Sequence, residues 1–287
     1  TGTPKEIHLS AAAVTASAKA ANTFLKADAG NSWSLLLPLT HIAGINVLVR
    51  ALLLKSEVLD FRNNSQYTKA DFTAIVPTQL NRALTADHQL LKHLQEAKAV
   101  LVGGAPLAES DKQSAHANGI NVITTYGMSE TSGGCIYNGT PLDGVAVKIV
   151  ENIIYLRGPM LAQVPLVDGW LKTTDIGRLE NGKLAVFGRS DDQIISGGEK
   201  ISLSVIEQAL SENFESIFLA FAKPDQEWGE RLCIATTLEL SQDTISHFLK
   251  NRFGGYATPK EIHKVDEIPL VGIGKPDRAK LIERLAK

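Results

Sequence analysis

The stretch "AVLVGGAPLAESDKQSAHANGINVITTYGMSE", Ala99 to Glu130, decides the fold. It opens on a short apolar run that ends in two glycines, the pattern of a buried strand stopped at a turn. "PLAESDKQSAHANG" follows and is closed by Gly119, which predicts a helix with a glycine at its C-terminal end. "INVITTYG" is a second apolar run of strand length. Strand, helix and strand in succession make a crossover unit, and such units build parallel sheets. The loops Gly103–Pro106 and Tyr126–Glu130 then fall at the carboxyl ends of strands, where open α/β sheets bind ligands.

The same alternation extends upstream. "SAAAVTASAKAANTFL" reads as a helix capped by Ser10, "SWSLLLPL" as a buried strand and "GINVLVRALLL" as a helix with a wide apolar face. "FTAIVP" is a strand stopped by Pro77, and "PTQLNRAL" and "DHQLLKHLQEA" are helices, the second capped by Asp87. After Thr140 the pattern changes. "GVAVKIVENIIYLRG" and "KLAVFGRSD" alternate with turn signals, as antiparallel strands do. "SLSVIEQALSEN" is then a helix with a Ser204 cap. "FESIFLAFAK" and "RLCIATTLEL" are strands, and "QDTISHFLKNRF" and "KLIERLAK" are helices. The expected fold is α/β: a large N-terminal domain with a mostly parallel sheet plus an antiparallel β subdomain, followed by a small α+β C-terminal domain. The expected boundaries are 1–188, a hinge at 189–193, and 194–287.

Composition narrows the function. The 287 residues are 44% hydrophobic and 21% charged, and the formal net charge is −2, so no basic excess points to nucleic acid. No apolar run has the length of a membrane span. Two distant cysteines, Cys135 and Cys233, fit a reducing cytosol better than a disulfide framework, and neither they nor the seven histidines form a zinc-ligand spacing. The chain opens on Thr1, in what reads as a loop, and so reads as the remainder of a longer protein.

Several short motifs carry chemistry. Hydroxyls, amides and lysine in "TGTPK", Thr1 to Lys5, can hold phosphate, although five residues also fit an ordinary turn. Gly103 and Gly104 let a ligand approach the backbone, or serve a plain turn. In "YGMSE", Ser129 can donate to a phosphate oxygen, Glu130 can hold Mg²⁺, and Tyr126 can stack on a base. Asp175 in "KTTDIG" suits a ribose diol, with a turn as the bland alternative. Arg189 in "GRSDD" can add a donor to ribose or phosphate, or form a surface ion pair. Lys275 in "GIGKPDR" stands on a glycine-flanked loop, a flexible mount for meeting an anion, or is an ordinary exposed loop lysine, the usual case for one lysine.

In order, "TGTPK", "PLTHIAG", "VGGAP", "TYGMSET", "GWLKTTD", "GRSDDQI", "GGEKI" and "GIGKPDR" resemble the adenylate-forming enzymes, the group of acyl-CoA synthetases, peptide-synthetase adenylation domains and luciferases. The resemblance covers essentially the whole chain. Within the group, "TYGMSETSGGCIYNGTPLDGV" and "GIGKPDRAKL" look like the short actinobacterial o-succinylbenzoate–CoA ligases of menaquinone biosynthesis, without their N-terminal segment.

The resemblance implies roles residue by residue. Thr1, Gly2, Thr3 and Lys5 would end a phosphate loop, and Gly103, Gly104 and Ala105 would flank adenine. Thr125, Tyr126, Gly127, Met128 and Ser129 would line the nucleotide, with Tyr126 on the base, Ser129 on the α-phosphate and Glu130 on Mg²⁺. Asp175 and Arg189 would bind ribose, Asp191 would be the hinge, and Lys275 would be the adenylation lysine, acting with Ser129 and Glu130. Gly197 and Gly198 would face CoA. His41, Ser132, Gly133 and Gly134 would line the acyl pocket, which must also accept the second, aromatic carboxylate of o-succinylbenzoate. "TTD" replaces the commoner Thr-Gly-Asp before Asp175. The implied activity uses ATP, Mg²⁺ and CoA with no prosthetic group, in the cytoplasm, on a small carboxylic acid, and admits a homodimer. Another acyl- or aryl-CoA ligase, a free-standing adenylation domain, and a nucleotide-binding chain without turnover are the alternatives.

Overall fold

The computed structural model describes residues 6–64, 66–214, 216–271 and 275–285, with Val271 and Lys275 described as backbone alone. The proposed phosphate loop, Thr1 to Lys5, lies outside the described residues. The chain divides into two compact units. One takes residues up to Thr173 together with Gly177–Ala185, and the other takes Thr174–Ile176 and the residues from Val186 onward.

The first unit begins with α1 (Ala11–Leu25), β1 (Trp33–Leu35), α2 (Ile42–Leu54), β2 (Val58–Asp60) and β3 (Phe72–Ile75). It continues through α3 (Pro77–Thr85), α4 (His88–Glu96), β4 (Ala99–Val102), α5 (Glu109–Ala117), β5 (Val122–Met128), β6 (Gly133–Tyr137) and β7 (Thr140–Pro141). Their strands form one sheet in the order β2-β1-β3-β4-β5-β6-β7. The first five are parallel, and β6 and β7 run antiparallel. β4, α5 and β5 are the crossover unit that the opening stretch predicts.

Local signals set the helix ends. The Ser10 hydroxyl accepts the Ala13 N–H at 3.1 Å, and the Asp87 carboxylate accepts that of Leu90 at 2.9 Å. Gly119 closes α5 with a φ of +76°, in the left-handed region that suits glycine. β1, β3 and β4 are buried at every residue, because helices cover both faces of a parallel sheet. Ile75, Val100, Val102 and Val122 pack there against Leu80, Leu90 and Leu94 of α3 and α4.

The antiparallel pattern starts earlier than the sequence suggests. Expected after Thr140, it begins where β5 reverses into β6, through a 3-10 turn at Ser129–Thr131 and left-handed Ser132 and Gly133. A run of small residues hides this reversal from periodicity. Next come β8 (Ala146–Val150), β9 (Ile153–Arg157), β10 (Leu171–Glu180) and β11 (Lys183–Arg189), a sheet in the order β11-β10-β9-β8. The division between the units passes through β10 and β11.

The second unit holds β12 (Gln193–Ser196), β13 (Glu199–Ser202), α6 (Leu203–Phe214), β14 (Phe218–Asp225), β15 (Gly229–Thr236), α7 (Gln242–Phe253) and β16 (Glu261–Lys264). A two-residue hairpin, β17 (Leu270–Val271) and β18 (Lys275–Pro276), precedes α8 (Arg278–Leu285). Phe218, Ala220, Leu232 and Ile234 pack on Ile206, Leu210, Ile245 and Leu249 of α6 and α7. The opposite faces of β14 and β15 cover Leu281 of α8. Ser204 is not the cap of α6. It lies inside the helix, and its N–H is accepted by Asp192 at 3.0 Å, a carboxylate brought in from before β12. The Lys275 backbone pairs with that of Val271.

Candidate functional site

The connections after β1, β4 and β5 lie at the carboxyl ends of parallel strands. Gly103 ends β4. A Cβ there would stand 2.1 Å from the Thr125 hydroxyl, which donates to the Val102 carbonyl at 3.3 Å. Gly104 has a φ of +86°, and Ala105 after it is exposed. Gly103, Gly104, Ala105, Thr125 and Tyr126 therefore share one edge of the sheet. Tyr126 is half-buried and packs against the core of the antiparallel strands.

The β5–β6 turn is built by close approach. A Cβ on Gly127 would lie 2.1 Å from the Gly133 carbonyl, so the two strands meet where no side chain fits. Thr131 is fully buried; its hydroxyl accepts the Met128 N–H at 2.9 Å and reaches the Gly133 carbonyl at 2.7 Å. The sequence reading passed over Thr131, whose only local signal is its place inside the run of hydroxyls. Ser132 is also fully buried. Its hydroxyl donates to the Met160 carbonyl at 2.8 Å, and its own carbonyl accepts from Ser17 at 3.0 Å and Asn46 at 2.7 Å. Helices α1 and α2 thus brace the turn from behind. Ser129 is left exposed and Glu130 half-buried, with the Glu130 carbonyl fixed by the Ala162 N–H at 2.8 Å.

Beneath β6 lies a buried charge that the sequence reading did not single out. His41 stands exposed at the start of α2. Further along, Asn46 and Arg50 project from one face, four residues apart. A Cβ on Gly133 would stand 2.4 Å from the Asn46 amide nitrogen, and one on Gly134 would stand 3.2 Å from the Tyr137 ring. Arg50 is 4% exposed. It donates to the Tyr137 hydroxyl at 3.0 Å, and its guanidinium lies 5.2 Å from the centre of the Trp33 ring. Its Nε has no hydrogen-bond partner, and neither do the Asn46 carbonyl oxygen and the Trp33 N–H. Burial pushes the Tyr137 hydroxyl up, so it stays neutral. Among the described residues no carboxylate stands within ion-pair distance of Arg50. A buried cation of this kind calls for an anion.

The second unit brings three expected residues together. Arg189 binds Asp191 through two nitrogens, at 2.8 and 2.6 Å, with Asp175 at 3.8 Å. The Arg189 guanidinium draws the Asp191 carboxyl below its ordinary range. Asp175 is 8% exposed. Gly197 and Gly198 have φ of +60° and +85°, and a Cβ on Gly197 would strike the Trp228 ring at 2.6 Å. Gly198 faces open space.

A mostly parallel sheet with an antiparallel extension, followed by a smaller α+β unit, is an adenylate-forming fold. The chain belongs to the AMP-binding enzyme family: the family model matches residues 1–163, and that of the AMP-binding enzyme C-terminal domain matches residues 215–275. Over its whole length the chain is 36% identical to a Mycobacterium tuberculosis protein named a probable 2-succinylbenzoate–CoA ligase, spanning 82% of that protein. It is 29% identical to the Escherichia coli 2-succinylbenzoate–CoA ligase, over 90% of the chain and 61% of the relative. Among solved structures it is similar to an arginine-to-lysine variant of E. coli MenE with bound OSB-AMS, with a TM-score of 0.83 and 27% identity, covering 96% of this chain and 65% of that one. The Bacillus subtilis o-succinylbenzoate CoA synthetase in complex with OSB-AMP shares the fold, with a TM-score of 0.83 at 23% identity, covering 98% of this chain and 66% of that one.

Proposed function

We propose that the chain ligates 2-succinylbenzoate to CoA at the expense of ATP. The reaction has two steps. The aliphatic carboxylate attacks the α-phosphorus, the bond to pyrophosphate breaks, and acyl-AMP forms. The CoA thiolate then attacks the acyl carbon, and AMP leaves. Neither step needs a nucleophile from the protein, so catalysis is positioning and charge neutralisation.

The observation that carries this reading is Arg50, a buried guanidinium without a carboxylate partner among the described residues, beneath the β5–β6 turn. A substrate with two carboxylates leaves one free when the other is adenylated. Arg50 holds that second carboxylate, with the unpartnered Trp33 N–H as a further donor. Gly133 and Gly134 form the floor above it, Ser132 braces that floor, and His41 stands near the α2 end.

The nucleotide roles follow the loops. Tyr126 faces adenine beside Gly103, Gly104 and Ala105. Thr125, Gly127 and Met128 shape the turn, and Ser129 donates to the α-phosphate. Asp175 and Arg189 take the ribose hydroxyls. Mg²⁺ takes one or two carboxylates with substrate phosphates and water, and half-buried Glu130 beside exposed Ser129 offers one carboxylate at the phosphate end of the turn. Glu130 is that carboxylate, and the ion would neutralise phosphate charge when bound. Lys275 neutralises the charge gathered on carboxylate and α-phosphate in the first step. In this reading Asp191 is the hinge between residues 1–188 and 194–287, and Gly197 and Gly198 serve the CoA half-reaction.

Among the described residues no helix is long and apolar enough to cross a membrane. A cytoplasmic enzyme completes the reading. The test is a substrate panel. ATP–pyrophosphate exchange and CoA thioester formation are measured with 2-succinylbenzoate and with other aryl and acyl acids. Exchange that is strongest with another acid refutes the substrate, and AMP binding without pyrophosphate release refutes turnover.

A further inference from the structure

In the second unit one guanidinium ties three separated segments. Arg278 Nε donates to the Ala220 carbonyl on β14 at 2.6 Å, and another of its nitrogens donates to Glu207 on α6 at 2.7 Å. A third pairs with Asp192, the residue after the proposed hinge. Glu207 also accepts the Ala220 N–H at 2.8 Å. β14 is an edge strand, and this clasp satisfies both backbone groups of Ala220 on its open side.

Lys275 lies three residues before Arg278. Its strand pairs with β17 over two residues, and the Asp277 N–H closes the base of the hairpin on the Pro269 carbonyl at 2.7 Å. So short a hairpin does not hold its own orientation. The fixed point beside it is Arg278, whose planar fork meets acceptors on three elements at once. A lysine, a single point charge, cannot reproduce that geometry.

We propose that Arg278, held by Asp192 and Glu207, is a positioning residue for adenylation: it fixes the Lys275 strand against the segment that follows the hinge. The inference rests on the reading of Lys275 as the adenylation lysine. Arg278 touches neither substrate nor nucleotide in this role, and it acts through the backbone of β18.

The test compares the two half-reactions in the purified protein carrying Arg278→Met, Arg278→Lys, Glu207→Gln or Lys275→Ala. Adenylation is followed as 2-succinylbenzoate-dependent ATP–pyrophosphate exchange, and thioester formation from supplied acyl-adenylate. For Arg278→Met the adenylation kcat is expected to fall about 100-fold, the loss that a small misplacement brings, with KM for ATP little changed and the thioester step spared. Arg278→Lys is expected to recover part of that loss and not all of it. Glu207→Gln, which leaves Arg278 its bonds to Asp192 and Ala220, is expected to lose less, in the same half-reaction. It carries the test if Arg278→Met does not fold. Equal loss in both half-reactions alongside a lowered melting temperature overturns the proposal in favour of a structural clasp, and so does unchanged adenylation. If Lys275→Ala keeps adenylation, the reading of the lysine fails and the proposal with it. If Lys275→Ala loses adenylation while the Arg278 and Glu207 variants keep it, only the proposal fails.

Discussion

Replacing Arg50 with methionine separates what the buried guanidinium does for the fold from what it does for the substrate. Among the described residues the Arg50 guanidinium makes one hydrogen bond, to the Tyr137 hydroxyl at 3.0 Å, and lies 5.2 Å from the Trp33 ring centre. Losing a hydrogen bond to a charged group costs about 1.5–3 kcal/mol. Against this, a cation 4% exposed and without a carboxylate partner among the described residues carries a desolvation cost on the order of several kcal/mol, which its removal relieves. The two nearly cancel, so the melting temperature should change little. Binding should not escape in the same way. Truncating one partner of a buried charge pair costs about 2–5 kcal/mol, which is roughly 30- to 4,000-fold in affinity at 1.4 kcal/mol per factor of ten. The assay is ATP–pyrophosphate exchange with 2-succinylbenzoate and with 4-oxo-4-phenylbutanoate, the same acid without the ring carboxylate. The parent should prefer the diacid strongly, and Arg50→Met should bring the two acids to similar kcat/KM. A variant that stays folded and keeps the preference refutes the reasoning, and so does equal loss on both acids.

Three further outcomes follow from the site. Lys275→Ala should lower adenylation by about 10²–10³, the usual cost of one preorganised electrostatic contact, and spare thioester formation from supplied acyl-adenylate; parallel loss in both assays would contradict that division. Gly127→Ala places a Cβ 2.1 Å from the Gly133 carbonyl, a clash of backbone with backbone. It should cost the upper end of the roughly 1–3 kcal/mol typical of overpacking, read as a lower denaturation midpoint, and an unchanged midpoint would show that the turn yields. Burial lifts the Glu207 carboxyl to about 7, even with the Arg278 guanidinium against it. The fold therefore binds this proton more tightly than the unfolded chain does. The stabilisation is complete below the ordinary carboxyl range and is lost as pH rises through about 7. Denaturation from pH 5 to 8 should show the parent losing up to about 1.4 kcal/mol per pH unit from this group, and Glu207→Gln should lack that slope.

Much of the fold is legible in local chemistry. Ser10 and Asp87 start helices where a hydroxyl or carboxylate precedes an apolar period, and Gly119 ends one where a left-handed residue is needed. The buried strands β1, β3 and β4 announce themselves as continuous apolar runs. Ser204 shows the limit. It looks like a cap by position, yet the acceptor at the start of α6 is Asp192, twelve residues earlier, and no local pattern reports a partner that arrives through tertiary folding. The β5 reversal is a second limit, because glycines and hydroxyls carry no periodicity.

By itself the sequence determined the element order, the family resemblance and the loops that bear Tyr126, Ser129, Glu130 and Asp175, since short motifs and apolar runs are local properties of the chain. Tertiary structure alone decided which hydroxyls of those loops support the backbone. It committed the hydroxyls of Thr131 and Ser132 to neighbouring carbonyls and joined Asp175, Arg189 and Asp191 into one cluster. It also buried Arg50, which in sequence is one arginine among the apolar residues of a helix. Burial and the absence of a carboxylate neighbour among the described residues are properties of three-dimensional surroundings, and they give that arginine its meaning.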